Sequence, residues 1–183
     1  GSVQALLRTH GLLGSKHIPT AYLRASERQR RDLLAGLLDT DGTVTSNGNV
    51  QFTSTSRQLA DDAYELIVSL GYRCSITERT VRGRTAESSI AFTLNFSTHD
   101  QVFRLQRKQM AHKERTRHQS QARRISRFIV SVEPTASVPV RCIEVDNESH
   151  MYLAGRSMIP THNSTLGLDI ARAASIKNGL ASV

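Results

Sequence analysis

Leucines at helical spacing form the first strong pattern along the chain. The apolar positions Leu33, Leu34, Leu37 and Leu38 make a broad stripe within residues 26–38. Ser26, followed three residues later by Gln29, matches the capping box that begins many helices. The pattern predicts a helix over residues 26–38 that runs directly into an acidic segment at residues 39–42.

Strand and helix patterns then alternate in a regular order. Asn47-Gly48 supplies the positive φ angles of a tight hairpin, and Gly71 ends a run of apolar residues at helical spacing. The predicted elements are strands at residues 43–44 and 49–54, a helix at 59–70, strands at 72–81 and 90–96, and a helix at 100–110.

This order of elements, αββαββα, indicates one α+β unit built on a four-stranded antiparallel sheet. Beyond it, runs rich in Val and Ile predict strands at residues 127–132, 138–145 and 151–154, and residues 164–180 return to a helical pattern. The sequence therefore predicts three parts, at residues 1–125, 126–163 and 164–183.

Positive charge is unevenly distributed along the chain. The formal net charge is +8, and basic residues crowd between Arg104 and Arg127, where Glu114 opposes them. Such a run can contact phosphates. It can equally be a solvated basic helix or linker, because no aromatic residue is interleaved for base stacking. Both interpretations remain open at this point.

Cysteine content and hydropathy exclude several classes of protein. Cys74 and Cys142 cannot make a disulfide framework, and neither belongs to a motif with zinc-ligand spacing. No apolar stretch reaches the roughly 18 to 20 residues that span a membrane. Residues 1–3 resemble neither a signal peptide nor a transit peptide. We therefore expect a cytoplasmic protein that has no membrane partner.

Two carboxylates, Asp39 and Asp41, stand where the first predicted helix ends. The helix dipole places partial negative charge there, so these residues cost stability unless a cation lies nearby. Carboxylates and backbone carbonyls are ligands that Mg²⁺ prefers, and phosphodiester hydrolysis uses such an ion. The alternative is a plain turn in which Asp and Gly serve local geometry.

Residues 34–42, LAGLLDTDG, resemble the LAGLIDADG motif of homing endonucleases. The resemblance implies double-stranded DNA as substrate, a divalent metal, Mg²⁺, at Asp41 and less firmly at Asp39, and close packing of two motif helices through their small residues. Residues 13–19 resemble the family segment that carries a lysine near the cleavage site, which makes Lys16 a candidate. One motif is present, whereas double-motif members need two.

The tripeptide His162-Asn163-Ser164 can break its own backbone. The side-chain nitrogen of Asn163 can attack the Asn163 carbonyl, close a succinimide and expel the amine of Ser164. An imidazole such as His162 can assist, because its pKa lies near neutrality. By itself this tripeptide is common, and a polar loop is the ordinary alternative.

Residues 140–146, 150–155 and 158–164 together resemble the two carboxy-terminal splicing blocks of inteins. This implies a mainly-β, Hint-type segment that splices without a cofactor and needs an upstream intein half and N-extein. Cys142 and Thr161 match a minority class in which an internal cysteine makes the first attack. His150 matches a histidine that assists asparagine cyclisation, and a partly exposed strand histidine is the alternative. Cys142 as an inert core cysteine is the alternative, and Cys74 is assigned to the core.

Residues 164–172 resemble a phosphate-binding loop continuing into its helix, and with residues 173–183 they resemble DnaB-type replicative helicases. The resemblance implies a spliced host that is a homo-hexameric helicase using ATP and Mg²⁺, with Ser164 in its phosphate-binding loop. Two other interpretations remain: a stand-alone LAGLIDADG DNA-binding or endonuclease module, and an ATP-binding helicase fragment.

Overall fold

The described part of the chain falls into two compact units. A computed structural model describes residues 2–9, 11–82, 88–117, 131–139, 141 and 143–162. The units are Gly1–Ile125 and Ser126–Val183. Among the described residues, no helix combines the length and the apolar character needed to cross a bilayer.

The first unit is an antiparallel sheet with helices against one face. Its elements are α1 (Val3–Thr9), α2 (Thr20–Leu23), α3 (Glu27–Asp41), β1 (Gly42–Val44), β2 (Val50–Ser54), α4 (Arg57–Ser69), β3 (Cys74–Arg82), β4 (Ser88–Phe96) and α5 (Gln106–Thr116). The strand order is β1-β2-β4-β3. From α3 onward the predicted αββαββα order is confirmed, whereas the short helices α1 and α2 were not predicted.

Local sequence signals determine where these elements begin and turn. Ser26 caps α3 and forms the predicted capping box with Gln29. Ser56 caps α4 by accepting the N–H of Leu59. Gly48 turns the hairpin between β1 and β2 with a φ of 78°. The residues next to α3, α4 and the first hairpin are therefore the ones that determine where these elements begin or turn.

The core lies between the helices and the inner face of the sheet. Strand alternation turns Val50, Phe52 and Leu94 inward, where they are almost fully buried against α3 and α4. Burying a side chain of this size contributes about 1.5 to 3 kcal/mol. The helices contribute Leu34, Leu38, Leu66 and Ile67 to the same core. The core consequently fixes α3, and with it the acidic segment at its end.

A third helix was predicted at residues 100–110; the helix is present, but both of its predicted ends were wrong. Helix α5 begins at Gln106 and ends at Thr116. Specific contacts hold the preceding segment outside a helix: Asp100 accepts the hydroxyl of Tyr72, and its N–H donates to Thr98. Val102 and Phe103 enter the core. Long-range contacts therefore override the local helical pattern.

The second unit contains a short two-stranded ladder, β5 (Tyr152–Ala154) and β6 (Ile159–Thr161). The predicted strand at residues 151–154 is confirmed, and β6 was not predicted. The strands predicted at 127–132 and 138–145 are absent from the described residues of those ranges. Runs rich in Val and Ile form strands only against a partner edge. The helix predicted at residues 164–180 lies outside the described residues.

Candidate functional site

Asp41 is the last residue of α3, and its side chain is exposed. Gly42 follows at a tight corner, where a Cβ atom would lie 2.6 Å from the carbonyl oxygen of Leu38. Only glycine fits such an approach without a shift of backbone atoms. The corner therefore holds the Asp41 carboxylate at the edge where α3 passes into β1.

Asp39 has a different environment, although it lies only two residues earlier. Its half-buried carboxylate accepts the backbone N–H groups of Arg104 and Leu105 at 3.1 to 3.2 Å. These groups precede α5 and have no partner within that helix. Asp39 thus ties the end of α3 to the start of α5, and its oxygen atoms are engaged in that contact.

The cation expected at the end of α3 is the ammonium group of Lys108. Its Nζ donates to the carbonyl oxygens of Leu38, Asp39 and Gly42 at 2.7 to 2.8 Å. A positive charge at a helix C-terminus is favourable because it faces the negative end of the dipole. Sequence reasoning placed Lys108 in the basic run, but no local signal connects it to a helix about 70 residues earlier.

The donor set around Asp41 fits part of a magnesium site. One exposed carboxylate is a suitable ligand, since Mg²⁺ is often held by one or two carboxylates, water and substrate phosphates. Lys108 already occupies the nearby carbonyl oxygens. Among the described residues there is no cluster of three or more metal-binding side chains. Asp41 therefore offers one ligand rather than a complete site within the described residues.

Lys16 lies on an exposed segment that is fixed to α4. Its carbonyl oxygen accepts the hydroxyl of Ser56 at 3.0 Å. Two residues later, the N–H of Ile18 donates to the buried carboxylate of Asp62 at 2.9 Å, and Gln58 donates to the other oxygen of that group. The backbone of Lys16 is thus held firmly while its side chain faces solvent.

The outer face of the sheet is mostly polar. Strand alternation places on it Thr43, Gln51, Thr53, Ser75, Thr77, Arg79, Thr93 and Asn95. Gln51 donates to Asn95 across two strands, and the hydroxyls of Thr53 and Thr93 are 3.1 Å apart. These side chains offer both hydrogen-bond donors and acceptors. Alternation in the sequence was the signal that could have identified this surface.

Part of the basic run serves the fold itself. Arg104 pairs with Asp32, and Arg115 donates to the carbonyl oxygen of Val44. Lys108 caps α3 as described above. Arg107 and Lys113 remain exposed on α5. The run is therefore divided between residues that join elements of the fold and residues that face solvent.

The predicted splicing residues are only partly described. Cys142, Asn163 and Ser164 lie outside the described residues. His150 is exposed, and its φ of 51° is uncommon for a residue with a side chain. Its Nδ1 lies 3.3 Å from the carbonyl oxygen of Val145.

Strands β5 and β6 bring the remaining predicted residues to one end of their ladder. Tyr152 pairs with Thr161 at that end. His150 precedes this pair by two residues, and the half-buried His162 follows it directly. The hydroxyl of Thr161 donates to the carbonyl oxygen of Ile159. Both predicted imidazoles thus lie at the same end of the ladder.

Cys74, the cysteine assigned to the core, is half-buried on β3. Burial raises the pKa of its thiol to about 12, because the thiolate would lose its hydration. The thiol therefore stays protonated near neutral pH and is a poor nucleophile.

Comparison with known proteins relates this geometry to a family. Residues 28–127 match the LAGLIDADG-like domain family. A protein named replicative DNA helicase DnaB from Mycobacterium intracellulare is 62% identical over 183 residues, which is all of this chain and 32% of that protein. A protein of the same name from Mycobacterium leprae is 69% identical over 55 residues, 30% of this chain and 9% of that protein. The chain thus spans about a third of the first relative's length.

Proposed function

Because the chain belongs to the family of LAGLIDADG-like domains, we propose that it is the downstream part of an intein inserted in a bacterial DnaB-type replicative helicase. It carries half of a homing endonuclease, a carboxy-terminal splicing segment and the start of the following host sequence.

One observation carries this proposal. The identity to a protein named as a helicase extends over the whole chain, and therefore includes the endonuclease-family domain at residues 28–127. A domain that cleaves DNA has no place in the unwinding reaction. An inserted element that removes itself from the host protein accounts for both the domain and its location.

In the endonuclease half, Asp41 is the proposed ligand for a divalent metal, Mg²⁺. The ion would supply the charge that stabilises a phosphodiester during hydrolysis. Lys16 would face the scissile phosphate from the segment fixed on α4. Double-stranded DNA would lie across the polar outer face of the sheet, where Gln51, Asn95 and Arg79 suit the hydrogen-bonding edges of bases.

The second motif helix would pack against α3 at Gly36. Gly36 is exposed, and beyond its chain neighbours and its own helix backbone no described residue lies within 4 Å of the position of a Cβ atom there. Helices approach closely where small residues meet. The upstream intein half is the proposed source of that helix, and pairing would bring a second aspartate beside Asp41.

In the splicing segment, the Cys142 thiolate would attack the carbonyl carbon of the upstream scissile bond and release its amine, leaving the N-extein as a thioester. The Ser164 hydroxyl would then take the acyl group from the thiol. The Asn163 side-chain nitrogen would attack its own carbonyl and expel the amine of Ser164. That amine would finally accept the acyl group from the Ser164 oxygen, which forms the peptide bond.

The histidines of this segment would move protons during these steps. His162 would polarise the Asn163 carbonyl or protonate the leaving amine, with His150 assisting and Thr161 supporting the cysteine. The location of both imidazoles at one end of the β5-β6 ladder supports this assignment. After splicing, Ser164 would lie in the phosphate-binding loop of a homo-hexameric helicase that uses ATP and Mg²⁺.

The two cysteines provide a matched test. In the full-length precursor, Cys142→Ala should abolish the joined host product, because no other thiol begins the reaction. Cys74→Ala should splice at the wild-type rate, since that thiol is protonated and lies on β3. Gel analysis of precursor and product measures both. Normal splicing of the Cys142→Ala precursor would contradict the mechanism, and a wild-type precursor that never splices would contradict the proposed function.

A further inference from the structure

A cavity of about 750 Å³ opens beside α5. Its lining includes His99, Phe103, Met110, His112, Lys113 and Arg117. Its volume lies within the range of sites that hold small organic molecules. None of the proposed endonuclease or splicing residues lines it, so neither proposed activity explains it.

Among the described residues, His112 is a buried polar side chain that lacks one hydrogen-bond partner. Its side chain lines the cavity and is only 4% exposed. Its Nε2 atom has no hydrogen-bond partner among the described residues. Buried polar atoms are nearly always paired. A ligand in the cavity would supply the missing partner.

The charges of the side chains that line the cavity indicate which kind of ligand it would bind. Lys113 and Arg117, which line the cavity, are positively charged and exposed, and His99 belongs to the same lining. None of the described residues that line the cavity is acidic. Such a concave surface concentrates anions. A metal ion is disfavoured, because two fixed positive charges would repel it.

We propose that this cavity binds a phosphate group, which accepts a hydrogen bond from Nε2 of His112 and lies between the cationic side chains of Lys113 and Arg117. The cavity is larger than a free phosphate ion, and Phe103 and Met110 give it an apolar wall. The phosphate group is therefore carried by a larger molecule, which is either a nucleotide or a DNA strand.

Binding of this anion is coupled to a proton on His112. Burial, the largest effect, lowers the pKa of His112 in the free protein, so its ring is neutral near pH 7. A bound phosphate favours the imidazolium form. The other basic side chains among the described residues that line the cavity are His99, Lys113 and Arg117, while Lys108 lies against the Phe103 ring. Binding should consequently tighten as the pH falls.

The test is a titration of the full chain with inorganic phosphate, followed through the ring nitrogen resonances of His112. We expect a saturable shift of Nε2 and tighter binding at about pH 6 than at about pH 8. Lys113→Gln and Arg117→Gln should each weaken binding by about tenfold, since each removes a charge-assisted hydrogen bond. Arg107→Gln is the matched control, because Arg107 is exposed on the same helix but does not line the cavity.

Two further probes distinguish the sources of the phosphate group. Deoxyadenosine monophosphate binding more tightly than inorganic phosphate supports a nucleotide, and displacement of phosphate by a short DNA duplex supports a strand. The proposal is overturned if the His112 resonances do not move at either pH. It is also overturned if Arg107→Gln weakens binding as much as Lys113→Gln, because attraction would then be diffuse. The test uses variants of the exposed residues Lys113, Arg117 and Arg107. It therefore does not depend on substituting the buried His112, which could prevent folding.

Discussion

Asp39 and Asp41 show how two neighbouring carboxylates acquire different roles. Asp39 accepts hydrogen bonds from the two backbone N–H groups that precede α5. Asp41, two residues later in the chain, is exposed to solvent. The sequence correctly indicated that a helix ending in two acids needs a cation. It could not identify Lys108 as that cation, because the contact depends on how the sheet brings α5 to the end of α3.

Substitution of the two aspartates should separate stability from activity. Asp39→Ala should destabilise the chain by about 1 to 2 kcal/mol, because two amide groups lose their acceptor. Asp41→Ala should leave stability unchanged or raise it by up to about 1 kcal/mol, since it removes a charge that opposes the dipole. Urea denaturation measures both. If the two variants are equally destabilised, the different roles assigned here are incorrect.

The cap formed by Lys108 should also be measurable. Lys108→Met keeps an unbranched side chain, one atom shorter, but removes the ammonium group from three carbonyl oxygens. We expect a loss of about 1.5 to 3 kcal/mol in the free energy of unfolding, the range for hydrogen bonds to a charged group. Arg107→Met on the same helix should change it by less than about 0.5 kcal/mol. Similar losses in both variants would contradict the capping role.

At the scale of elements, the segment that carries Lys16 depends on α4. Asp62→Ala should expose the Ile18 amide to rapid hydrogen exchange and cost about 1 to 3 kcal/mol, because that N–H loses a buried partner. Asp61→Ala removes only a surface ion pair with Arg57 and should cost less than about 1 kcal/mol. Continued protection of the Ile18 amide in the Asp62→Ala chain would show that another contact holds the segment.

Elements with local signals were predictable from the sequence, and elements governed by distant contacts were not. The capping box of Ser26, the Asn47-Gly48 hairpin and the apolar stripe of α4 gave correct predictions, although within that dipeptide Gly48 alone has the predicted positive φ. The start of α5 was wrong because Asp39 and Tyr72 hold the preceding segment from a distance. The strands predicted around residues 132 and 138 have the right composition, but the described part of the second unit contains no edge that pairs with them.

At the scale of the whole molecule, the chain would be one part of a larger assembly. Gly36→Leu should increase the stability of the chain alone by up to about 1 kcal/mol, because glycine is a poor helix former. The same change should weaken pairing with the upstream half, since it fills the space reserved for the second motif helix. Glu114→Leu on α5 is the control for an added exposed leucine. Binding measured by calorimetry that is unchanged by Gly36→Leu would exclude this face as the contact.

The proposed splicing reaction requires the chain to break between Asn163 and Ser164. Mass spectrometry of the purified chain, mixed with the upstream half, tests it most directly. We predict loss of residues 164–183 and a succinimide at Asn163. Asn163→Ala should block this cleavage, and Asn178→Ala, which changes another asparagine downstream, should not. A wild-type chain whose mass stays intact, or an Asn163→Ala chain that cleaves normally, would contradict the claim.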